Sequence, residues 1–248
     1  PAWTATLPQN LPSWKCLAAR AVREGVAPLL AKRLCHYDLP DPIRECLESA
    51  RLSTAARNLI LNNALAESDA ALARRGIPGL LHKGIYLARA VYPDPSLRPM
   101  VDADILAAPE DIPGAIESLR DAGFGIVGAQ HVAPLHIPNG APATGAYLNS
   151  LPFRRSAGEA GTYIHLHWHW RNGSLPLSNG REAAAGVRDI TRRPVPPFRA
   201  RAAPAPAEAL VLHAEHALKH GCRRMIHLAD IAWLWRQTSP EPQAVEKA

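Results

Sequence analysis

Two aspartates one residue apart, Asp102 and Asp104, close the stretch HKGIYLARAVYPDPSLRPMVDADI. The residues around them, Met100 to Ala107, read as a strand, and side chains on a strand alternate faces. Asp102 and Asp104 therefore share one face, while Val101, Ala103 and Ile105 share the other. Two carboxylates held about 7 Å apart repel each other, and burial raises that cost. A divalent cation removes the repulsion, and oxygen ligands suit Mg²⁺ or Mn²⁺, which complete their shells with phosphate oxygens and water. The competing expectation is that both acids are solvated at a sheet edge or pair with Arg98.

Other residues with chemical potential lie on either side. Lys83-Gly84 follows a short apolar run and precedes a helix, a turn that sets backbone N–H groups beside the acid-bearing strand and makes an anion site. Arg98 sits in the loop that leads into the acids and reads as a phosphate ligand. Further on, YIHLHWHW alternates. Tyr163, His165, His167 and His169 share one face, and Ile164, Leu166, Trp168 and Trp170 share the core side. Neutral imidazole can accept a proton or ligate a metal, and such a strand face could hold Zn²⁺ or Ni²⁺ without nucleotide chemistry. The bland alternative makes His167 a packing residue and leaves His169 in solvent. His213, His216 and His220 line one face of a late helix. Near its end lie Lys219, Arg223 and Arg224. Read from spacing alone, His216, Lys219 and Arg223 belong to a basic surface stripe with a partly buried histidine, and Asp230 reads as an acid that caps or pairs with a helix.

The elements that must position these groups are legible from periodicity and punctuation. Residues from about Leu11 to Arg75 carry apolar positions at three and four spacing, broken at Leu39-Pro40-Asp41-Pro42 and stopped by Gly76 and Pro78. This predicts an N-terminal module of two to four helices. Gly79 to Lys83 reads as a strand, Gly84 to Val91 as a helix, and YPDPSLRP as a loop, because its prolines forbid regular structure. PEDIPGAIESLRDAGF is an amphipathic helix with its proline and acids in the first turn. Two or three strands are expected between Gly125 and Trp170, around a Pro/Gly-rich loop at Pro138–Gly145. Asn172 to Pro206 reads as an irregular wrap. Ala207 to Gln237 reads as two helices with a break at Gly221. The resulting division is a helical module over 1–76, a core sheet over 77–171, and wrap plus helices over 172–248, with no internal repeats.

Composition narrows the class. The chain has 248 residues, 47% hydrophobic and 20% charged, enough for a sizeable core. No apolar run reaches the roughly 18 residues of a membrane span. No basic region followed by an apolar core opens the chain, so a cytoplasmic protein without a signal peptide is expected. The four cysteines form no CxxC pair, which argues for reduced thiols and against a cysteine zinc site. The net charge of +6 suits a phosphate-bearing ligand, while no basic run is long enough to argue for nucleic acid by itself.

LLHKGIYLARAVYPDPSLRPMVDADIL resembles the uncharacterised nucleotidyltransferase family of the DNA polymerase β-like superfamily. The shared features are the Lys83-Gly84 turn, a helix, Tyr92-Pro93-Asp94, Leu97-Arg98-Pro99 and the Asp102/Asp104 strand. AGFGIV, IHLHW at 164–168 and LVLHAEHALKHGCRRMIHLADIAWL add to it, so that the resemblance spans roughly residues 55 to 236. It implies an α+β fold, a small mixed sheet flanked by helices from both termini. It implies an NTP as substrate, Mg²⁺ or Mn²⁺ held by Asp102 and Asp104, and nucleotide phosphates at Lys83, Gly84, Arg98, His216, Lys219 and Arg223. The family's third carboxylate falls at His165, a departure that gives a nitrogen ligand where the family has an acid. The resemblance leaves the acceptor, the preferred base and the oligomeric state open. The functional expectation is metal-assisted transfer of a nucleoside monophosphate. The alternatives are a degenerate fold that binds nucleotide or a partner without turnover, and a histidine-based metal-binding protein.

Overall fold

The computed structural model describes residues 8, 10–127, 150–156, 161–168, 193–195, 198–203, 206–239 and 241–247. Three helices open the chain, α1 (Leu11–Glu24), α2 (Ala27–Leu34) and α3 (Asp41–Arg74). Asn10 caps α1 by accepting from the Ser13 N–H at 2.9 Å, and Gly25 ends it in the left-handed conformation. Pro42 lies in the first turn of α3, and no glycine or proline interrupts the helix after it, so it runs for 34 residues.

The sheet follows: β1 (Gly79–His82), α4 (Lys83–Ala90), β2 (Asp102–Leu106), α5 (Ile112–Asp121), β3 (Gly125–Ile126), β4 (Ser150–Arg155) and β5 (Thr162–His167). Two more strands, β6 (Arg193–Val195) and β7 (Phe198–Ala203), precede the helices α6 (Pro206–Lys219), α7 (Met225–Thr238) and α8 (Pro242–Lys247). The strands form one seven-stranded mixed sheet in the order β3-β4-β5-β2-β1-β7-β6. β2 runs antiparallel to β1 and parallel to β5. The expected mixed α+β architecture, with helices from both ends of the chain, is what the structure shows.

One expectation needs correction. The stretch read as an irregular wrap contains β6 and β7, and β7 joins the sheet parallel to β1. Its alternating Arg and Ala (FRARAA) gives little hydrophobic signal, so backbone pairing to β1 rather than side-chain pattern reveals it. The loop expected at Pro138–Gly145 lies outside the described residues.

Two apolar clusters hold the fold. Trp14, Ala18, Ala21, Leu34, Leu39, Ile43 and Leu47 tie α1 and α2 to the first half of α3. The larger cluster joins Leu61, Leu65 and Leu72 of α3 to Ile85 and Leu87 of α4 and to Ala103, Ile105, Ile164 and Leu166 of the sheet. Each fully buried Leu or Ile contributes about 1.5–3 kcal/mol by leaving water. The core side of β2 and β5 is thus filled by the residues that alternate with the aspartates and histidines, and this packing turns the polar set to the opposite face.

Candidate functional site

β2 is an interior strand with partners on both sides, so its aspartates are not at a sheet edge. Asp104 is 3% exposed, while the side chain of Asp102, one pair nearer the strand's start, keeps 29%. The parallel register sets Asp104 opposite His165 and Asp102 opposite Tyr163. His165 leans back along the strand so that its Nδ1 lies 3.5 Å from Asp102 Oδ2. The His167 Nε2–H donates to Asp104 Oδ1 at 2.7 Å. One ligand atom from each of Asp104, His165 and His167 lies within 4.8 Å of the others, a grouping that could hold a metal ion. His169 and Trp170 lie outside the described residues.

Lys83 closes the same group. Its Nζ donates to Asp104 Oδ1 at 2.6 Å and lies 3.2 Å from His167 Nε2. To bring its side chain there, Lys83 opens α4 with φ +51, the left-handed region that costs an unbranched residue a little strain. Gly84 next to it is explained by crowding. A Cβ there would lie 2.6 Å from Arg98 Nη1 and 3.3 Å from Met100 Cγ.

Arg98 is pinned rather than free. Its Nε and Nη2 donate to the two carboxylate oxygens of Asp230 at 3.2 and 2.7 Å, and its Nη1 donates to the Pro99 carbonyl. The Tyr92 hydroxyl donates to the same Asp230 oxygen at 2.8 Å. This answers two expectations. Arg98 pairs with Asp230 instead of the strand aspartates, and Asp230 serves as its counterion. Arg98 still borders the cavity described below.

The charges explain the ionisation. Burial and the neighbouring charge of Asp104 push the Asp102 carboxyl up, while His165 and Lys83 oppose that rise. Burial pushes Asp104 up as well, but the Lys83 ammonium and the His167 hydrogen bond outweigh it and hold Asp104 well below the usual carboxylate range. Burial lowers His167 despite Asp104, so its imidazole is neutral near pH 7. His82, buried beneath this group with its ring 5.9 Å from that of His167, is lowered by burial and then by Lys83.

A cavity of about 310 Å³, at the small end of ligand pockets, opens over the group. Lys83, Gly84, Arg98, Asp102 and Asp104 line one side, and His216, His220, Arg224 and His227 line the other. Of the expected phosphate ligands, His216 joins it, whereas Lys219 and Arg223 are exposed and are not among its lining residues. His213 is 3% exposed and turned away, its Nδ1–H donating to the Ala209 carbonyl at 2.7 Å. Sequence reasoning missed His82 and His227. His82 sits next to the Lys-Gly turn at the end of a strand, which was a usable signal; His227 is brought in only by the turn between α6 and α7.

A mixed sheet flanked by helices, with paired carboxylates on an interior strand facing a cavity lined by basic and imidazole groups, is a fold of the nucleotidyltransferase type. A model of the uncharacterised nucleotidyltransferase family matches residues 10–246, nearly the whole chain, and the protein belongs to that family. Neither curated proteins nor solved structures give a match. No helix among the described residues is long and apolar enough to cross a membrane.

Proposed function

We propose that this protein transfers a nucleoside monophosphate from an NTP to an acceptor nucleophile, with a divalent metal held by Asp102, Asp104 and His165. The observation that carries the reading is the pairing of β2 with β5. It brings two carboxylates and two imidazoles to one face, and the two carboxylates line a cavity whose far wall carries His216, His220, His227 and Arg224. The donor set fits a cation. The Asp102 carboxyl is raised by burial and then by the charge of Asp104, both of which a divalent ion offsets, and Asp104 keeps Oδ2 outside its bonds to Lys83 and His167. Mixed oxygen and nitrogen donors favour Mn²⁺ over Mg²⁺. Such an ion, when bound, neutralises charge on the phosphoryl oxygens.

The chain's own residues supply the rest. Lys83 is poised to exchange Asp104 for a phosphate oxygen, and His216 and Arg224 face the same space. His165, whose Nδ1 lies 3.5 Å from Asp102 Oδ2, serves as the nitrogen ligand, and the acceptor hydroxyl gives up its proton to water as it attacks the α-phosphorus and pyrophosphate leaves. Positioning and fixed charge supply most of the rate in such a reaction. The acceptor is a small molecule, a sugar, a peptide, a protein or an RNA end. A second reading, nucleotide binding without turnover, is favoured by the imidazole at the position of the family's third acid.

The test is thermal stabilisation by each of four NTPs with Mg²⁺ or Mn²⁺, read beside pyrophosphate release. NTP plus metal should raise Tm, since a ligand of the folded state stabilises it. Asp102→Asn combined with Asp104→Asn should abolish the shift; an unchanged shift would refute the site. His165→Asp, which rebuilds three carboxylates, should raise transfer or create it, while His165→Ala should not. Loss of wild-type transfer in His165→Asp would make histidine the working group. Binding without pyrophosphate release in either protein would favour the second reading.

A further inference from the structure

The far wall of the cavity carries a second cluster with its own chemistry. The rings of His216, His220 and His227 are mutual neighbours, with centroids 4.6, 5.0 and 5.3 Å apart. Three imidazoles bound to one tetrahedral ion at a Zn–N distance of about 2.0–2.1 Å place their ring centres about 5 Å from each other. The spacing observed is that spacing. No carboxylate is needed to complete it, and all three side chains line the cavity.

We infer that His216, His220 and His227 form a site for a borderline transition ion of the Zn²⁺ class, separate from the aspartate group on β2. Three neutral imidazoles are the donor set such ions prefer over Mg²⁺. Burial lowers His216 to about 3, and burial lowers His220 and His227 too, so all three present free lone pairs at neutral pH. His227 Nδ1 is buried without a hydrogen-bond partner among the described residues, although buried ring nitrogens ordinarily have one. Among the described residues, only Asp104, His165 and His167 already gather their ligand atoms within 4.8 Å, so the three rings must turn to converge. Rotation about the imidazole χ2 is soft, and all three side chains border the cavity. Lys83 and Arg224 line the same cavity and oppose a bare divalent cation. The fourth position therefore favours an anionic oxygen ligand, and a nucleotide phosphate is the natural one if the proposed transfer reading holds.

Co²⁺ titration of the nucleotide-free protein tests the site, because four-coordinate Co²⁺ absorbs visibly and reports its own ligands. Wild type and the Asp104→Asn/His165→Ala double variant should both give the four-coordinate spectrum, with affinities within about threefold of each other. His220→Ala removes an exposed ligand with little risk to folding. It should weaken Co²⁺ by at least ~100-fold, the upper end of what losing even an outer partner of a metal site costs. Inorganic phosphate should tighten Co²⁺ on wild type. A spectrum that survives when His220→Ala is added to the Asp104→Asn/His165→Ala variant, or that vanishes in the Asp104→Asn/His165→Ala variant itself, would overturn the inference, as would wild type showing no four-coordinate Co²⁺. Since the readout uses no NTP, failure of this site leaves pyrophosphate release with Mn²⁺ untouched, and failure of transfer leaves the Co²⁺ spectrum untouched.

Discussion

Lys83→Met separates the lysine's two jobs. Lys83 is the counterion of Asp104, at 2.6 Å with side-chain exposures of 22% and 5%. Breaking a buried pair by removing one partner costs about 3–5 kcal/mol, because the other charge is left uncompensated. Lys83 keeps some water contact, and Asp104 has an escape. Taking up a proton at pH 7 against an ordinary carboxyl pKa near 3.9 costs about 4 kcal/mol, which caps the penalty. A loss of about 3 kcal/mol follows. Methionine matches lysine in length and is equally unbranched, so the positive φ at this position costs both residues the same. For a chain of this length that loss lowers Tm by roughly 6–12 °C. A divalent ion should then restore it, since Asp102 and Asp104 share one face of β2 with no competing ammonium. Metal at about 100 times its Kd returns about 2.7 kcal/mol. The assay is Tm with and without millimolar Mg²⁺ or Mn²⁺, for both proteins. Metal should stabilise Lys83→Met far more than wild type, while NTP adds less in the variant because a phosphate ligand is gone. If Lys83→Met melts with wild type in the absence of metal, or gains no more than wild type from it, the lysine is not standing in a cation's place.

Two further outcomes can be checked on the same material. Gly84→Ala would press a methyl against Arg98, whose guanidinium is held by Asp230; it should cost about 1–3 kcal/mol by overpacking and erase the NTP-induced Tm shift, both read by differential scanning fluorimetry. His82 and His213 are buried with their protonation disfavoured by burial first, so their folded pKa lies below the unfolded value near 6.5. Their contribution is complete above about pH 6.5 and is lost as pH falls through that value, at about 1.4 kcal/mol per pH unit each. Tm should therefore drop steadily between pH 6.5 and 5, and a flat profile would show that these imidazoles are not neutral in the fold.

The aspartate pair was legible because strand alternation ties side-chain direction to sequence, and His165 could be matched to it because YIHLHW alternates in the same way. The parallel register that sets Asp104 opposite His165 was not legible, since pairing between strands 60 residues apart is fixed by the core beneath them rather than by either strand. Arg98 shows the limit most clearly. Its nearness to the acids in sequence suggested a phosphate ligand, but its partner Asp230 comes from α7, and no local pattern announces a contact across that separation. Lys219 and Arg223 are the immediate neighbours of His220 and Arg224, which line the cavity while they do not, and no sequence pattern says which of these adjacent basic groups turns inward.

At 1.5 Å per residue, α3 is a rod of about 51 Å. Its middle holds the loop before β2. Asn58 Nδ2 donates to the carbonyls of Pro95 and Arg98, Arg51 Nη1 donates to Ser96, and Arg57 Nη2 donates to the Val101 carbonyl. The residues from 10 to 74 thus act as a jig in which the acid-bearing strand is set, and a polypeptide started at Ile77 would carry every candidate ligand yet lose the template that aligns them. Natural variation along the loop-facing side of α3 should be felt at the aspartates through this template, as changes in how well the site is held rather than in what it contains.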